Sequence, residues 1–350
     1  MLYNKLDFLK YTLLPLQGIY SMIVYIKNIL YKYSILKSYK CSKPIISIGN
    51  LNTGGTGKTP MVEYLLRLFK TKRIAVISKG YKRKSKGFIL GTHKHTAREI
   101  GDENRQLLKK FNHIIIACHN SKVHAVKKLL EMTNQIDLII LDDGFQHQHL
   151  NRDLNILLTE YNNLFTNDHL LPIGQLREHK KEMRRADNII ITKCPKNISQ
   201  IEKDTIIKII KPKKTQQLYF SYIRKYKYII MPSLQELEIN SNKTHILLTG
   251  IASTDSITNE LNSKHIKFKH LKYQDHYNFT DNDIGKIIDV YRKHTVSNTL
   301  LLTEKDYYRL SESHKEKLIK IFNLICMQIE FDFIEADKAN FNNQMFKFEE

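Results

Sequence analysis

Apolar residues along the chain come in short blocks set between polar stretches of helical period. Ile45–Ile48, Ile74–Ser78, Ile114–Ala117, Leu138–Leu141, Leu154–Leu158 and Ile189–Thr192 are such blocks, rich in isoleucine and leucine. Between several of them apolar residues recur at helical spacing, as at Met61, Leu65, Leu66 and Phe69. Short, continuously apolar strands separated by helices predict a parallel sheet covered on both faces. Ligands of such sheets sit beyond the C-terminal ends of the strands.

The texture changes near Lys211-Pro212-Lys213-Lys214, where the helical pattern breaks and Leu218–Ile223 reads as extended. A second α/β unit follows. It comprises a strand at His245–Thr249, helices near Ser256–Asn262 and Asp281–His294, and strands at Thr299–Leu302 and Gln328–Phe333. The tail after Asp337 is polar and reads as loosely held. The pattern thus divides the chain into an N-terminal segment (1–43), a larger α/β core (44–215), an extended connector (216–228) and a smaller α/β domain (229–350).

The N-terminal segment has its own character. Tyr11 to Ile26 carries no charge. As a helix it reaches only about 24 Å, short of the roughly 30 Å hydrocarbon core of a bilayer. Pro15 and Gly18 weaken it further as a single span. Lys27, Lys32, Lys37, Lys40 and Lys43 follow, interleaved with Tyr25, Tyr31, Tyr33 and Tyr39. Tyrosine and lysine beside an apolar run suit a membrane interface facing anionic lipid. The expectation is an interfacial or shallowly inserted anchor, and the competing reading is a core-packing helix.

Composition narrows the partners. With 56 basic and 35 acidic residues the net charge is +21, which favours anionic partners: nucleic acid, an anionic membrane face or a phosphorylated substrate. Part of the excess is a general lysine-rich bias. Cys41, Cys118, Cys194 and Cys326 form no C-x-x-C pair, so neither zinc nor a disulfide framework is expected and a reducing compartment fits. No small-residue cleavage site follows the apolar run, which disfavours a removed signal peptide.

The chemistry centres on residues 49–60, GNLNTGGTGKTP, a glycine-rich turn between the first strand and a helix. This is a P-loop pattern. Asn52, Thr53, Gly54, Gly55, Thr56 and Gly57 supply the phosphate cradle, Lys58 reaches the terminal phosphates, and the Thr59 hydroxyl holds Mg²⁺. The strict pattern has glycine where Asn52 stands. The block at Leu138–Leu141 ends in Asp142-Asp143, the expected partner of a P-loop because Mg²⁺ takes hard oxygen ligands. Successive strand residues face opposite sides, so one carboxylate serves the metal or its water and the other orients neighbours. Which is which stays open. His147 and His149 lack a ligand set and read as surface histidines.

GNLNTGGTGKTP, DDGFQHQHLNRDLNILL (142–158), LLPIGQLRE (170–178) and RRADNIIITK (184–193) resemble the tetraacyldisaccharide 4′-kinase family, in order, and LLTEKD (301–306) extends the likeness. The resemblance implies a P-loop NTPase-like, doubly wound, mostly parallel sheet with a second, smaller α/β domain and an N-terminal membrane-associated helix. It implies an ATP-dependent lipid kinase at the cytoplasmic face of the inner membrane. With Mg²⁺-ATP it would phosphorylate the 4′-hydroxyl of a tetraacylated glucosamine disaccharide 1-phosphate, giving lipid IVA in lipid A biosynthesis.

Several residues acquire roles from the resemblance. Asp102, in Gly101-Asp102-Glu103, is placed near the attacking hydroxyl, and His276 pairs with it. A carboxylate backed by imidazole can accept the hydroxyl proton as the P–O bond forms. Read alone, Asp102 is a helix cap and His276 a surface histidine. Arg177 suits transition-state charge, and Glu178 a Mg²⁺-bound water. Gln146 and Lys122 fall on substrate-facing positions, with Lys122 where the family has arginine. Asn104 and Gln175 replace family prolines, as does His179, and Lys79 replaces an arginine. Two other classes remain in view. A membrane- or nucleoid-positioning P-loop ATPase has lysine where Thr53 stands and no use for DDGFQH. A nucleic-acid-binding protein is suggested by charge alone and lacks a binding motif, so no nucleic acid partner is expected.

Overall fold

The computed structural model describes residues 12–239, 241–293 and 297–349. Tyr11, with everything before it, and His294 at the end of the second predicted helix of the smaller unit lie outside the described residues.

The strands form one sheet. They are β1 (Ile45–Asn50), β2 (Ile74–Ser78), β3 (Ile89–Gly91), β4 (Ile114–Cys118), β5 (Leu138–Asp142), β6 (Leu154–Glu160) and β7 (Asn188–Cys194), then β8 (Gln217–Met231), β9 (Gln235–Leu237), β10 (His245–Thr249), β11 (Phe268–Lys272), β12 (Thr299–Thr303) and β13 (Asn323–Phe333). Their order is β11-β10-β12-β13-β8-β7-β6-β1-β5-β2-β4-β3, with β9 paired to β8. Strands β7 to β4 are parallel, as are β11 to β13, and the antiparallel pairs are β13·β8, β3·β4 and β8·β9. The apolar blocks anticipated each of the central parallel strands. They missed β3, β9 and β11, whose residues are mostly polar or only half-buried.

β8 ties the two halves together. Its first residues pair parallel with β7 and its later ones antiparallel with β13, so the sheet runs without a break from one half to the other. The tail corrects the expectation of a loose end: Glu335–Met345 is a helix with Phe341 and Met345 fully buried. These side chains and Phe333 pack in the core of the first half, with Ile46, Met61, Leu65 and Phe69. Asp337, Asn342 and Gln344 accept hydrogen bonds from Phe220 N, Tyr64 and Asn188, so polar as well as apolar contacts dock the helix.

Local sequence explains the phosphate-binding corner. Ile45 to Ile48 is buried on both faces, as a central parallel strand requires. Gly57 precedes the helix Lys58–Leu68 with φ +90°, a conformation open to glycine. Pro60 lies in the first turn, where its missing N–H costs nothing. Register sets Asp142 beside Ile48, at the C-terminal ends of adjacent strands β5 and β1.

Leu14–Lys32 forms a helix, with Pro15 in its first turn. No helix among the described residues is long and apolar enough to cross a membrane. The helix is inverted relative to a core-packing one. Leu16, Ile19, Met22, Ile23 and Ile26 are exposed, whereas Asn28 is buried. Its polar groups dock on the larger half: Asn28 Oδ1 accepts from Gln148 at 2.6 Å, and Tyr20 Oη donates to the Arg177 carbonyl at 2.7 Å.

Candidate active site

The loop after β1 is held from two sides. Residues 175–177 pair with 51–53, with Thr53 N donating to the Gln175 carbonyl and Arg177 N to the Leu51 carbonyl, both at 2.7 Å. Thr192 Oγ1, from β7, donates to the Thr56 carbonyl at 3.0 Å. Through this pairing a residue far along the chain, Arg177, reaches the P-loop. Its Nη1 and Nη2 bind the two Asp143 oxygens at 2.8 and 2.9 Å, and Nη2 also donates to the carbonyl and side-chain oxygen of Asn50. Lys58 Nζ donates to Asn50 Oδ1 at 3.2 Å and lies 3.7 Å from Asp143. Asn50 therefore gathers both cations, a role the motif reading missed although it quoted the residue.

The two adjacent carboxylates have unlike environments. Asp143, in the left-handed region at φ +52°, faces Arg177 and Lys58. Burial opposes its ionisation, but these cations outweigh it and hold the carboxyl well below the usual range. Asp142 is buried, and its Oδ1 has no hydrogen-bond partner among the described residues. Burial first, then the charge of Glu103, pushes Asp142 up to about 6. An ionisable oxygen left bare beside a P-loop is a fitting ligand for a hard cation. This points to Asp142 at the metal and Asp143 as the group that orients Arg177.

Other expected site residues occupy varied positions. Thr59 Oγ1 donates to Glu103 Oε1 at 3.3 Å. Gln146 Nε2 donates to the Asn50 carbonyl at 2.8 Å, and the Gln146 carbonyl accepts from Lys27 at 3.2 Å. Lys122, expected on a substrate-facing loop, is fully buried and donates to the Asp142 and Asp143 carbonyls. Desolvation lowers its ammonium to about 8. Glu178 is buried against Arg185, its Oε1 has no hydrogen-bond partner among the described residues, and burial raises its carboxyl. His147 and His149 are half-buried, not at the surface, with ring centroids 5.1 Å apart. Among the described residues no group of three or more His, Cys, Asp or Glu forms a metal cluster.

The Asp102–His276 pair lies where the two halves meet. Asp102 opens the helix Asp102–Lys110, with Gly101 at the N-cap. Its Oδ1 accepts from the Glu103 backbone at 3.0 Å, and Oδ2 lies 3.3 Å from His276 Nδ1. Arg309 Nε donates to the same Oδ2 at 2.7 Å. Burial works against the charge on Asp102, yet the adjacent cations Arg309 and Lys305 hold its carboxyl far below the ordinary value. Asn104 Nδ2 donates to the Ile100 carbonyl at 2.7 Å, which a proline there could not do.

Next to this pair, Glu103 joins the cradle to the second half. It accepts from Thr59 and, at 2.5 Å, from Lys305 Nζ. Glu103, Lys305 and Arg309 were not assigned from sequence. Glu103 stood in the quoted Gly101-Asp102-Glu103 and Lys305 within 301–306, neither with a role, and no quoted motif reached Arg309.

A glycine-rich turn opening a helix, a bare buried carboxylate on the neighbouring parallel strand and a second carboxylate in the facing cleft define a P-loop phosphotransferase. Comparison with known proteins names the kind. The family model described as tetraacyldisaccharide-1-P 4′-kinase matches residues 9–348. The tetraacyldisaccharide 4′-kinase of Flavobacterium psychrophilum is 38% identical over 338 residues, covering 95% of each chain. That of Bacteroides fragilis (strain NCTC 9343) is 38% identical over 344 residues, covering 95% of this chain and 91% of its own. A crystal structure of "apo" form LpxK from Aquifex aeolicus in complex with ATP aligns with TM-score 0.75 and 28% identity, over 97% of this chain and 99% of that one. The chain belongs to the tetraacyldisaccharide-1-P 4′-kinase family. It is an ATP-dependent kinase of lipid A biosynthesis, and the positioning-ATPase alternative is not favoured.

Proposed function

We propose that the chain transfers the γ-phosphate of Mg²⁺-ATP to the 4′-hydroxyl of a tetraacylated disaccharide 1-phosphate, forming lipid IVA at the cytoplasmic face of an inner membrane. One observation carries the reading. The phosphate cradle and the Asp102–His276 pair are joined through Thr59 and Glu103, which meet at 3.3 Å. Phosphate donor and hydroxyl acceptor thus converge on one cleft.

Positioning and electrostatics supply most of the catalysis in such a transfer. The loop amides and Lys58 seat the phosphates, and Arg177, held by its fork on Asp143, brings positive charge toward the transferred group. Asp102 receives the 4′-hydroxyl proton as the O–P bond forms and the bond to the leaving ADP breaks. Thr59 and Asp142 would supply hard oxygens for Mg²⁺, with Asp142 Oδ1 bare and buried. An ion held there would supply positive charge against the transferred phosphoryl group.

The inverted helix Leu14–Lys32 supports membrane association. Its exposed stripe suits the headgroup boundary, and its polar side is hydrogen-bonded to the Arg177 and Gln146 carbonyls. An acceptor lying in a membrane is then within reach of the cleft. The test is a mixed-micelle assay with γ-labelled ATP and a defined tetraacyldisaccharide 1-phosphate, read by mass spectrometry. Product heavier by one phosphoryl at the 4′ position supports the proposal. ATP hydrolysis with unmodified lipid overturns it.

A further inference from the structure

We propose that Arg309 is a positioning residue of this reaction: it reaches across from the C-terminal half to hold Asp102, and it sets which nitrogen of His276 carries the proton. The inference rests on Asp102 serving the acceptor hydroxyl.

Arg309 ends the helix Glu304–Arg309, and its side chain is 5% exposed. Every arm of its guanidinium is engaged. Nε and Nη2 each lie 2.7 Å from Asp102 Oδ2. Nη1 donates to the Gly250 carbonyl at 2.5 Å and to Asp306 Oδ1 at 3.1 Å. Asp306 is itself fully buried and fixed, accepting from Gly250 N at 3.0 Å and from Thr303 Oγ1 at 2.6 Å. The rear of the guanidinium is therefore locked into the C-terminal half while its front meets a carboxylate 207 residues earlier in the chain. Only a planar, multi-donor group can make this set of contacts at once.

His276 is presented by the same anchor. Its backbone, at φ +57°, donates to the Gly250 carbonyl at 3.0 Å, the carbonyl that also accepts from Arg309. Its ring meets the edge of Tyr81, with centroids 4.6 Å apart. Nδ1 then has two competing neighbours: Asp102 Oδ2 at 3.3 Å and Arg309 Nη2 at 3.2 Å. A protonated Nδ1 donates to Asp102 and cannot accept from Arg309. A bare Nδ1 accepts from Arg309 and leaves the proton on Nε2, which lies 3.8 Å from Asp275 Oδ2. Asp102 Oδ2 already meets two guanidinium nitrogens and needs no donor from His276, while Oδ1, with one backbone donor, remains open to the acceptor hydroxyl. Arg309 thereby favours the Nε2–H tautomer. Without Arg309, Asp102 regains its pull and the proton moves to Nδ1.

The test uses the full-length chain labelled with ¹⁵N-histidine, the His276 resonances being assigned by their loss in His276→Gln. In the wild type, His276 is expected to show a bare Nδ1 and a protonated Nε2, and in Arg309→Met the reverse. In the mixed-micelle assay Arg309→Met is expected to lower kcat by roughly tenfold or more while the KM for ATP stays within about twofold, with Arg309→Lys between. A folded Arg309→Met chain with wild-type tautomer and kcat overturns the proposal. If that variant does not fold, Arg309→Lys and Arg309→Gln carry the same two readouts. Should the wild type phosphorylate no disaccharide lipid, the proposed function fails, and the tautomer measurement still decides whether Arg309 governs His276.

Discussion

Arg177 grips Asp143 through both carboxylate oxygens, at 2.8 and 2.9 Å, from a segment that pairs with the P-loop strand. Lys58 approaches the same carboxylate. Two cations thus converge on one carboxylate beside the cradle. Arg177→Ala is expected to cut kcat by about 10²-fold, in line with loss of one preorganised electrostatic contact. Arg177→Lys should recover part of this, because it restores charge without the fork. Steady-state transfer kinetics on the lipid acceptor would check it, and a wild-type rate in Arg177→Ala would remove the residue from the mechanism.

Asp102→Asn keeps the shape of the side chain and removes its capacity to take a proton. The expected loss in kcat is about 10²- to 10⁴-fold, the range for a positioned general base. Affinity for a non-hydrolysable ATP analogue, measured by calorimetry, should not change. A parallel loss of nucleotide affinity would mean that Asp102 supports the cradle instead.

Gly49 has no room for a side chain. A Cβ there would meet Phe145 Cβ at 2.6 Å and the Phe145 backbone nitrogen at 2.7 Å. Backbone atoms cannot swing aside, so Gly49→Ala should destabilise the fold by about 1–3 kcal/mol. Thermal melting should show a Tm lower by a few degrees, and an unchanged Tm would contradict the close approach of the two strand ends.

Glu304 gives a pH dependence whose sign follows from burial. It is buried beside Lys110 at 2.6 Å, and desolvation pushes it up to about 7, from an ordinary value of 4.5. The folded chain holds this proton more tightly than the unfolded one. The group's stabilisation is therefore complete below about 4.5 and lost as pH rises through about 7. Glu304→Gln should narrow the Tm difference between acidic and mildly basic buffers. Equal differences in wild type and variant would show that Glu304 ionises normally.

The exposed stripe on Leu14–Lys32 is open to a direct test. Ile19→Asn with Ile23→Asn removes two large apolar contacts from the outward face. At about 1.5–3 kcal/mol each, sedimentation with anionic vesicles should fall by roughly 10²-fold or more. Retained vesicle binding would place the membrane contact elsewhere.

Much of the larger half was legible without coordinates. Short isoleucine- and leucine-rich blocks between helical patterns suit buried strands, and a glycine turn before Lys58 and Thr59 admits few conformations, so strand, loop and helix followed from local chemistry. β3, β9 and β11 were not legible, because short edge strands pack too few apolar residues to mark themselves. The tail was misread for a similar reason: Phe341 and Met345 are a sparse signal until a partner core exists to receive them.

The sequence by itself determined a P-loop, its paired aspartates and the family to which they belong. Only the tertiary structure decided that Asp142 is bare while Asp143 is tied to Arg177, that Lys122 is buried, and that Glu103 joins Thr59 to Lys305. It alone brought Arg309 between Asp102 and His276. The reason is physical: the state of a charge is set by desolvation and by the nearest opposite charge, and here those neighbours arrive from distant strands whose order in the sheet no local pattern records.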